Sequence, residues 1–238
     1  MVILGMLRSA AILALTAASA LATLLAAWLS GGGAAERAMG WWGRTFIRIG
    51  GWKVRVEGMK ELPAGGAVLV VNHQSLVDIP LLLSAFPRPV KFLAKRELGE
   101  IPLFGKAMAA AGNLFIDRDD PRDAVHMLRD AGERLRAGQL LVVFPEGTRS
   151  GDGRVGEFKP GAFFLAQRSG APVVPVYIDG GRRALPKGAL WFRPAELSVR
   201  VLAPLSPEER AGGTKERIST SVRERILAVA SGQGEGMK

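Results

Sequence analysis

Residues 67–86 read AVLVVNHQSLVDIPLLLSAF, and the fold turns on how that stretch is parsed. AVLVV is a short apolar run of mostly β-branched residues, which predicts a strand buried on both faces. NHQSLVD interrupts the apolar pattern. DIPLLLSAF resumes it as a helix, with Asp78 as N-cap and Pro80 tolerated in the first turn.

The same alternation continues along the chain. WKVRVEG (52–58), VKFLA (90–94), NLFI (113–116), QLLVVF (139–144), PVVPVYI (172–178) and AELSVRVLAPL (195–205) read as strands. Between them, IPLFGKAMAAAG (101–112) reads as an apolar helix. DPRDAVHMLRDAGERLRAG (120–138) reads as an amphipathic one, with Asp120 as N-cap and Val125, Leu128 and Leu135 facing inward. GAFFLAQRSG (161–170) is a short helix, and Ser206 with Glu209 forms a capping box opening a helical stretch to about Ala230. Apolar strands alternating with helices predict an α/β fold, a mostly parallel sheet flanked by helices.

With 238 residues, 48% hydrophobic and 23% charged, the chain is long enough for a substantial core and too apolar for wholesale disorder. A formal charge of +10 points to an anionic partner. The lack of cysteine excludes disulfides, thiol nucleophiles and cysteine-held metals.

Upstream of the sheet pattern, Ala10 to Leu29 carries no charge, long enough to span a bilayer core as a helix. ASA at 18–20 resembles a signal cleavage site, but the apolar run continues past it to Trp28 and Leu29, which favours a retained anchor that spans or dips into the membrane. In the next segment Met39, Trp42, Phe46 and Ile49 share one helical face and Arg37, Trp41, Arg44 and Arg48 another, a pattern suited to the headgroup boundary. Between Gly31 and Lys60, six Lys/Arg stand against Glu36 and Glu57, which places this side in the cytoplasm. The expected organisation is a helical membrane-associated segment over 1–51 and an α/β domain over 52–238.

In open α/β sheets ligands bind beyond the carboxyl ends of strands. Three polar clusters lie at such ends: His73 after AVLVV, Asp117 and Arg118 after NLFI, and PEGTRS (145–150) after QLLVVF. A neutral imidazole is a base near neutral pH, and a carboxylate on its other nitrogen fixes the tautomer. Five residues of continuous helix would carry Asp78 about 140° away from His73, so the two meet only if the chain turns between them. Taken alone, His-x4-Asp is a common spacing, and Asp78 as a plain helix cap is the competing reading. A Gly-x-Ser-x-Gly nucleophile elbow is absent and Ser75 is too near His73 for a triad, so the base would act on a substrate hydroxyl directly. Arg118 and Arg149 would hold an anionic group, Gly147 could present a backbone N–H, and Glu146 could anchor an arginine or accept from a substrate hydroxyl. GDGRVG (151–156) matches a dinucleotide fingerprint in letters but has no helix directly after it, so it is read as a loop flanking the site. His126 reads as structural or solvated, and no histidine pair has metal-ligand spacing, so no catalytic metal is expected.

NHQSLVD (72–78), GNLFIDR (112–118), FPEGTRS (144–150) and VVPVYI (173–178) together resemble the four sequence blocks of the glycerolipid acyltransferases, in the family's order. Within that family the chain is most similar to bacterial 1-acyl-sn-glycerol-3-phosphate acyltransferases. The resemblance implies transfer of a fatty acyl group from acyl-CoA or acyl-carrier protein to the free hydroxyl of lysophosphatidic acid, giving phosphatidic acid without a cofactor. It implies that His73 is the general base and that Asp78 orients it. Arg118, Glu146, Gly147, Thr148 and Arg149 would bind the phosphoglycerol end, Lys95 and Lys159 are further candidates for phosphate contact, and Pro175 would shape the acyl side. The partners implied are membrane phospholipid and lysophospholipid, with the catalytic domain on the cytoplasmic face of the inner membrane. The four blocks leave other acceptors open: glycerol-3-phosphate, an acylated amino-acid lipid such as lyso-ornithine lipid, or another lysophospholipid. A non-catalytic protein that binds anionic lipid through its arginines is the alternative from another class. Nucleic-acid binding rests on charge alone, with one tyrosine in the chain, and is not expected.

Overall fold

The structure is a computed structural model that describes residues 2–117, 121–211 and 213–232, with the backbone alone at 121–124 and 211. Its elements are, in order, α1 (Val2–Ser30), α2 (Gly32–Gly50), β1 (Lys53–Glu57), β2 (Ala67–Val71), α3 (Asp78–Ala85), β3 (Val90–Lys95) and α4 (Arg96–Gly99). There follow α5 (Phe104–Ala110), β4 (Leu114–Ile116), α6 (Pro121–Arg136), β5 (Leu140–Val143) and α7 (Phe164–Ser169). The chain closes with β6 (Val173–Asp179), α8 (Gly181–Ala184), β7 (Glu196–Val201), α9 (Pro207–Ala211) and α10 (Lys215–Ala230).

Among the described residues the strands form one seven-stranded sheet in the order β1-β7-β6-β2-β5-β3-β4. The run from β6 to β4 is parallel. β7 turns back antiparallel to β6, and β1 pairs parallel to β7. Successive side chains of a strand face opposite sides. In β2, Ala67, Leu69 and Val71 enter one core and Val68 and Val70 the other. In β5, Leu140 and Val142 divide from Leu141 and Val143 in the same way. The first core is covered by α1, α2 and α3, the second by α6, α7 and α10. This is why the central strands read as unbroken apolar runs.

The capping box is formed: the Ser206 N–H donates to Glu209 Oε2 at 2.7 Å and the Glu209 N–H to Ser206 Oγ at 3.2 Å. Elsewhere the structure corrects the helix readings. Asp78 is the first residue of α3 and makes no cap bond within it. The apolar segment 101–112 is helical only over Phe104–Ala110. Val125 is 64% exposed, and Met127, Ala131 and Leu135, spaced four apart, carry the buried stripe of α6. Asp120 lies outside the described residues.

The N-terminal segment departs most from expectation. Met39, Trp42 and Phe46 of α2 are turned into the protein, not toward a headgroup layer. Trp42 Nε1 donates to Thr16 Oγ1 of α1 at 3.1 Å, and the Phe46 ring meets Trp52 and Phe192 at 6.1 and 5.6 Å. Gly43 lets α2 come close to α3, where a Cβ would fall 2.6 Å from Leu83 Cβ. Lys91 of β3, buried, is paired with Glu36 of α2 and donates to Ala111 O at 2.7 Å. Burial lowers its pKa, against the pull of Glu36. Apart from Ile12, the inward face of α1 carries small and polar residues: Gly5, Ser9, Ser19, Ala20 and Thr23. Leu7, Leu13, Leu21, Leu25 and Trp28 lie exposed on the outside. Water drives the opposite arrangement, and a lipid environment favours this one. Among the described residues α1 is the one helix long and apolar enough to cross a membrane.

Candidate active site

β2 and β5 are neighbours in register, with Val70 opposite Val143. His73 and Glu146, each three residues further on, therefore arrive level at the carboxyl edge. The His73 N–H donates to Glu146 Oε1 at 2.8 Å, and the Ser150 N–H donates to His73 O at 2.8 Å. Asn72 seals the strand end beside them. Its side-chain amide donates to Ile178 O at 2.9 Å and accepts from Ile178 N–H at 2.8 Å, which prolongs the β2–β6 pairing by one step.

The chain leaves regular structure between β2 and α3, and the turn brings the pair together. His73 Nδ1 lies 2.8 Å from Asp78 Oδ2. The same oxygen accepts the N–H groups of Gln74 at 2.6 Å and Ser75 at 2.8 Å. Two of its three partners are obligate donors, so Oδ2 is the acceptor and the imidazole proton sits on Nδ1. Nε2 is left with its lone pair. The His73 ring lies 4.0 Å from that of Phe144, nearly parallel at 18°, and Phe144 stacks in turn on Phe92 at 6.3 Å. With Asp78 fixing one edge and Phe144 one face, the imidazole has little rotational freedom. The side chain remains 15% exposed, enough to meet a substrate.

Ser75 Oγ donates to Leu185 O at 2.8 Å, a structural bond that ties this turn to the chain after α8. His126 lies exposed on α6, away from these contacts. Segment 151–156 is a folded loop at the site's flank, held by Gln74 Nε2 to Gly153 O at 3.1 Å and Ser150 Oγ to Asp152 at 2.9 Å, and no helix follows it directly.

Glu146 is engaged within the protein. Its carboxylate is buried and spans two backbone segments, accepting from His73 N–H and, at 3.1 Å, from Gly156 N–H. It braces the site, and it also lines the cleft beside it. Gly147 has φ 72° and its N–H closes a turn on Phe144 O at 3.2 Å, so that donor is engaged within the loop. Thr148, Arg149 and Lys159 line a cleft of about 660 Å³ beside Glu146. Lys159 also borders a second cleft, of about 370 Å³, which Lys95 lines. The Asp117 carboxylate in that second cleft is 3.6 Å from Arg96. Arg118 lies outside the described residues. Pro175 is buried within β6, one residue before the ladder with β7 begins, where its missing N–H is tolerated. Asn72, Phe144 and the brace made by Glu146 were not anticipated from sequence.

Burial raises the Glu146 pKa above its ordinary 4.5, and the two backbone N–H donors offset this only in part. The native state therefore holds that proton more tightly than the unfolded chain. Its contribution to stability is full below pH 4.5 and lost as pH rises through the raised pKa. Glu146→Gln, which sets an amide NH2 against one of two backbone donors, is expected to cost about 1–3 kcal/mol. Urea unfolding from pH 4 upward should show the wild-type margin over Glu146→Gln narrowing as pH rises. A margin that widens would contradict the assignment.

Residues 53–179 match the family model described as acyltransferase, and that span holds the dyad, the brace and both clefts. The chain belongs to the acyltransferase family. Within it, the chain is 42% identical over 140 residues to a chloroplastic 1-acyl-sn-glycerol-3-phosphate acyltransferase of Arabidopsis thaliana, covering 58% of this chain and 39% of that protein. It is 38% identical over 129 residues to the Helicobacter pylori protein of the same description, covering 52% of this chain and 53% of that one. The chain thus spans about half the length, or less, of these curated relatives. The crystal structure of the 1-acyl-sn-glycerophosphate acyltransferase PlsC from Thermotoga maritima is similar throughout, with a TM-score of 0.79, 30% identity, and coverage of 99% of this chain and 98% of that one.

Proposed function

We propose that this acyltransferase moves a fatty acyl group from a thioester donor, acyl-CoA or acyl-carrier protein, to the free hydroxyl of lysophosphatidic acid, releasing phosphatidic acid. The observation that carries the reading is the His73–Asp78 pair, with Nδ1 occupied by the carboxylate and Nε2 left for a proton at the carboxyl edge of the sheet. His73 Nε2 takes the proton of the acceptor hydroxyl as its oxygen bonds to the thioester carbonyl carbon. Asp78 stabilises the imidazolium that results. When the carbon–sulfur bond breaks, the imidazolium returns the proton to the departing thiolate, and ester and free thiol leave. The donor's own thioester supplies the driving force, and no cofactor enters the scheme.

The names borne by the relatives support lysophosphatidic acid as acceptor. So does the cleft beside the dyad, where Arg149 and Lys159 can meet a phosphate. The outward apolar face of α1 supports a seat in the membrane. Because α1 packs along α2 and α5, it lies against the domain and does not stand free of it. Such a seat would hold the site at the bilayer surface, where a water-soluble donor can reach a lipid acceptor, and the excess of Lys/Arg over acids between Gly31 and Lys60 supports the cytoplasmic face of the inner membrane.

The test is acyl transfer from labelled acyl-CoA, and separately acyl-carrier protein, by the protein in phospholipid vesicles. Lysophosphatidic acid, glycerol-3-phosphate and uncharged monoacylglycerol serve as competing acceptors. Lysophosphatidic acid is expected to win, and Arg149→Ala is expected to raise its KM about tenfold or more while largely preserving kcat. Equal use of monoacylglycerol by the wild type would contradict phosphate recognition at this cleft.

A further inference from the structure

Leu190 is 84% exposed, yet it sits on a segment fixed at both ends. Residues 186–193 read PKGALWFR. The Ala189 N–H closes a tight turn on Pro186 O at 3.0 Å, with Gly188 at φ 82°. The Arg193 N–H donates to Ala184 O at 2.8 Å, and Arg193 O accepts from Trp52 Nε1 at 2.8 Å. The Phe192 ring stands edge-on to Trp52 at 5.3 Å, and its N–H donates to Ser9 Oγ of α1 at 3.0 Å. The turn is thus fastened to the first turns of α1, where Val2, Ile3, Leu4, Met6 and Leu7 are also exposed.

The turn itself is basic, although Arg183 is paired with Asp179 at 2.7 Å just before it. From Gly180 to Ala195 the chain carries Arg182, Arg183, Lys187 and Arg193 and no acid. Lys187 and Arg193 are exposed beside Leu190. An apolar tip flanked in sequence by an exposed lysine and an exposed arginine fits an anionic bilayer: the leucine enters the acyl boundary while lysine and arginine meet phosphates. Each cation near such a surface adds to the attraction, and a turn already ordered in the free protein loses little entropy on insertion.

We propose that the 186–193 turn is a second membrane contact, separate from α1, which inserts Leu190 into an anionic lipid surface and fixes how the catalytic edge faces the bilayer. The proposal rests on the reading that α1 seats the protein on a membrane. The chain has no cysteine, so Leu190→Cys and, on α10, Glu224→Cys each give a single site for an environment-sensitive fluorophore. Both labelled proteins are floated with phosphatidylglycerol/phosphatidylcholine vesicles, with and without brominated acyl chains. The expected result is co-flotation of both, with a blue shift and bromine quenching at position 190 alone. Co-flotation with an aqueous, unquenched signal at 190 would overturn the second contact and leave the seat of α1 intact. Failure of both proteins to float would overturn the membrane reading and this proposal with it.

Discussion

Replacing His73 with alanine is expected to lower turnover of acyl transfer by about 10²–10⁴-fold, the usual contribution of a positioned general base. The loss should fall on kcat, with the KM for lysophosphatidic acid within a few-fold of wild type, because the cleft lined by Arg149 and Lys159 is untouched. The protein should stay folded but lose about 2–4 kcal/mol of stability: Asp78 Oδ2 keeps its two backbone donors, while the hydrogen bond from Nδ1 and the stacking on Phe144 are lost. Thermal unfolding beside steady-state kinetics separates these effects. A folded His73→Ala protein with wild-type turnover would remove the base from the mechanism.

Gly181→Ala is expected to have the next largest effect, though Gly181 lies outside the sequence blocks. A Cβ there would overlap Asp78 Oδ1 and sit 3.1 Å from Ser75 Cβ. Asp78 is fully buried, and Oδ1 has no hydrogen-bond partner among the described residues, so the carboxylate has one face against Gly181 and one against its donors. Making room means turning the carboxylate, which loosens the bonds to Gln74 N–H, Ser75 N–H and His73 together. Displacement of a catalytic group by about 1 Å can cost roughly 10²-fold, and that is the loss expected in kcat. Overpacking should also cost about 1–3 kcal/mol of stability. Wild-type turnover in Gly181→Ala would show that the dyad tolerates a shift of Asp78.

The parts of this site visible in the sequence are those carried by short-range pattern. AVLVV names its strand because both faces of β2 are buried, and His73 lies two residues beyond it, so the strand and the edge of the sheet that carries His73 could be read off. Asp78 is an instructive half-success. An acid at a helix start looks the same whether it caps the helix or reaches back to His73, and the loop geometry decides. Phe144 and Gly181 were hidden because their roles depend on which strand lies beside β2, and that register is not written near either residue. The α2 stripe failed for a related reason. Met39, Trp42 and Phe46 form an apolar face equally suited to lipid and to a sheet, and the cores they meet are distant in sequence. The outward leucines of α1 carry the membrane signal instead.

The most direct measurement of the mechanism is intact-protein mass spectrometry of the wild type with acyl donor alone, followed by addition of lysophosphatidic acid. Direct attack by the hydroxyl that His73 activates predicts a protein of unchanged mass with donor alone, and phosphatidic acid only once acceptor is present. An acyl adduct that builds up on the protein with donor and then passes to lysophosphatidic acid would contradict it, placing a covalent intermediate where none is proposed.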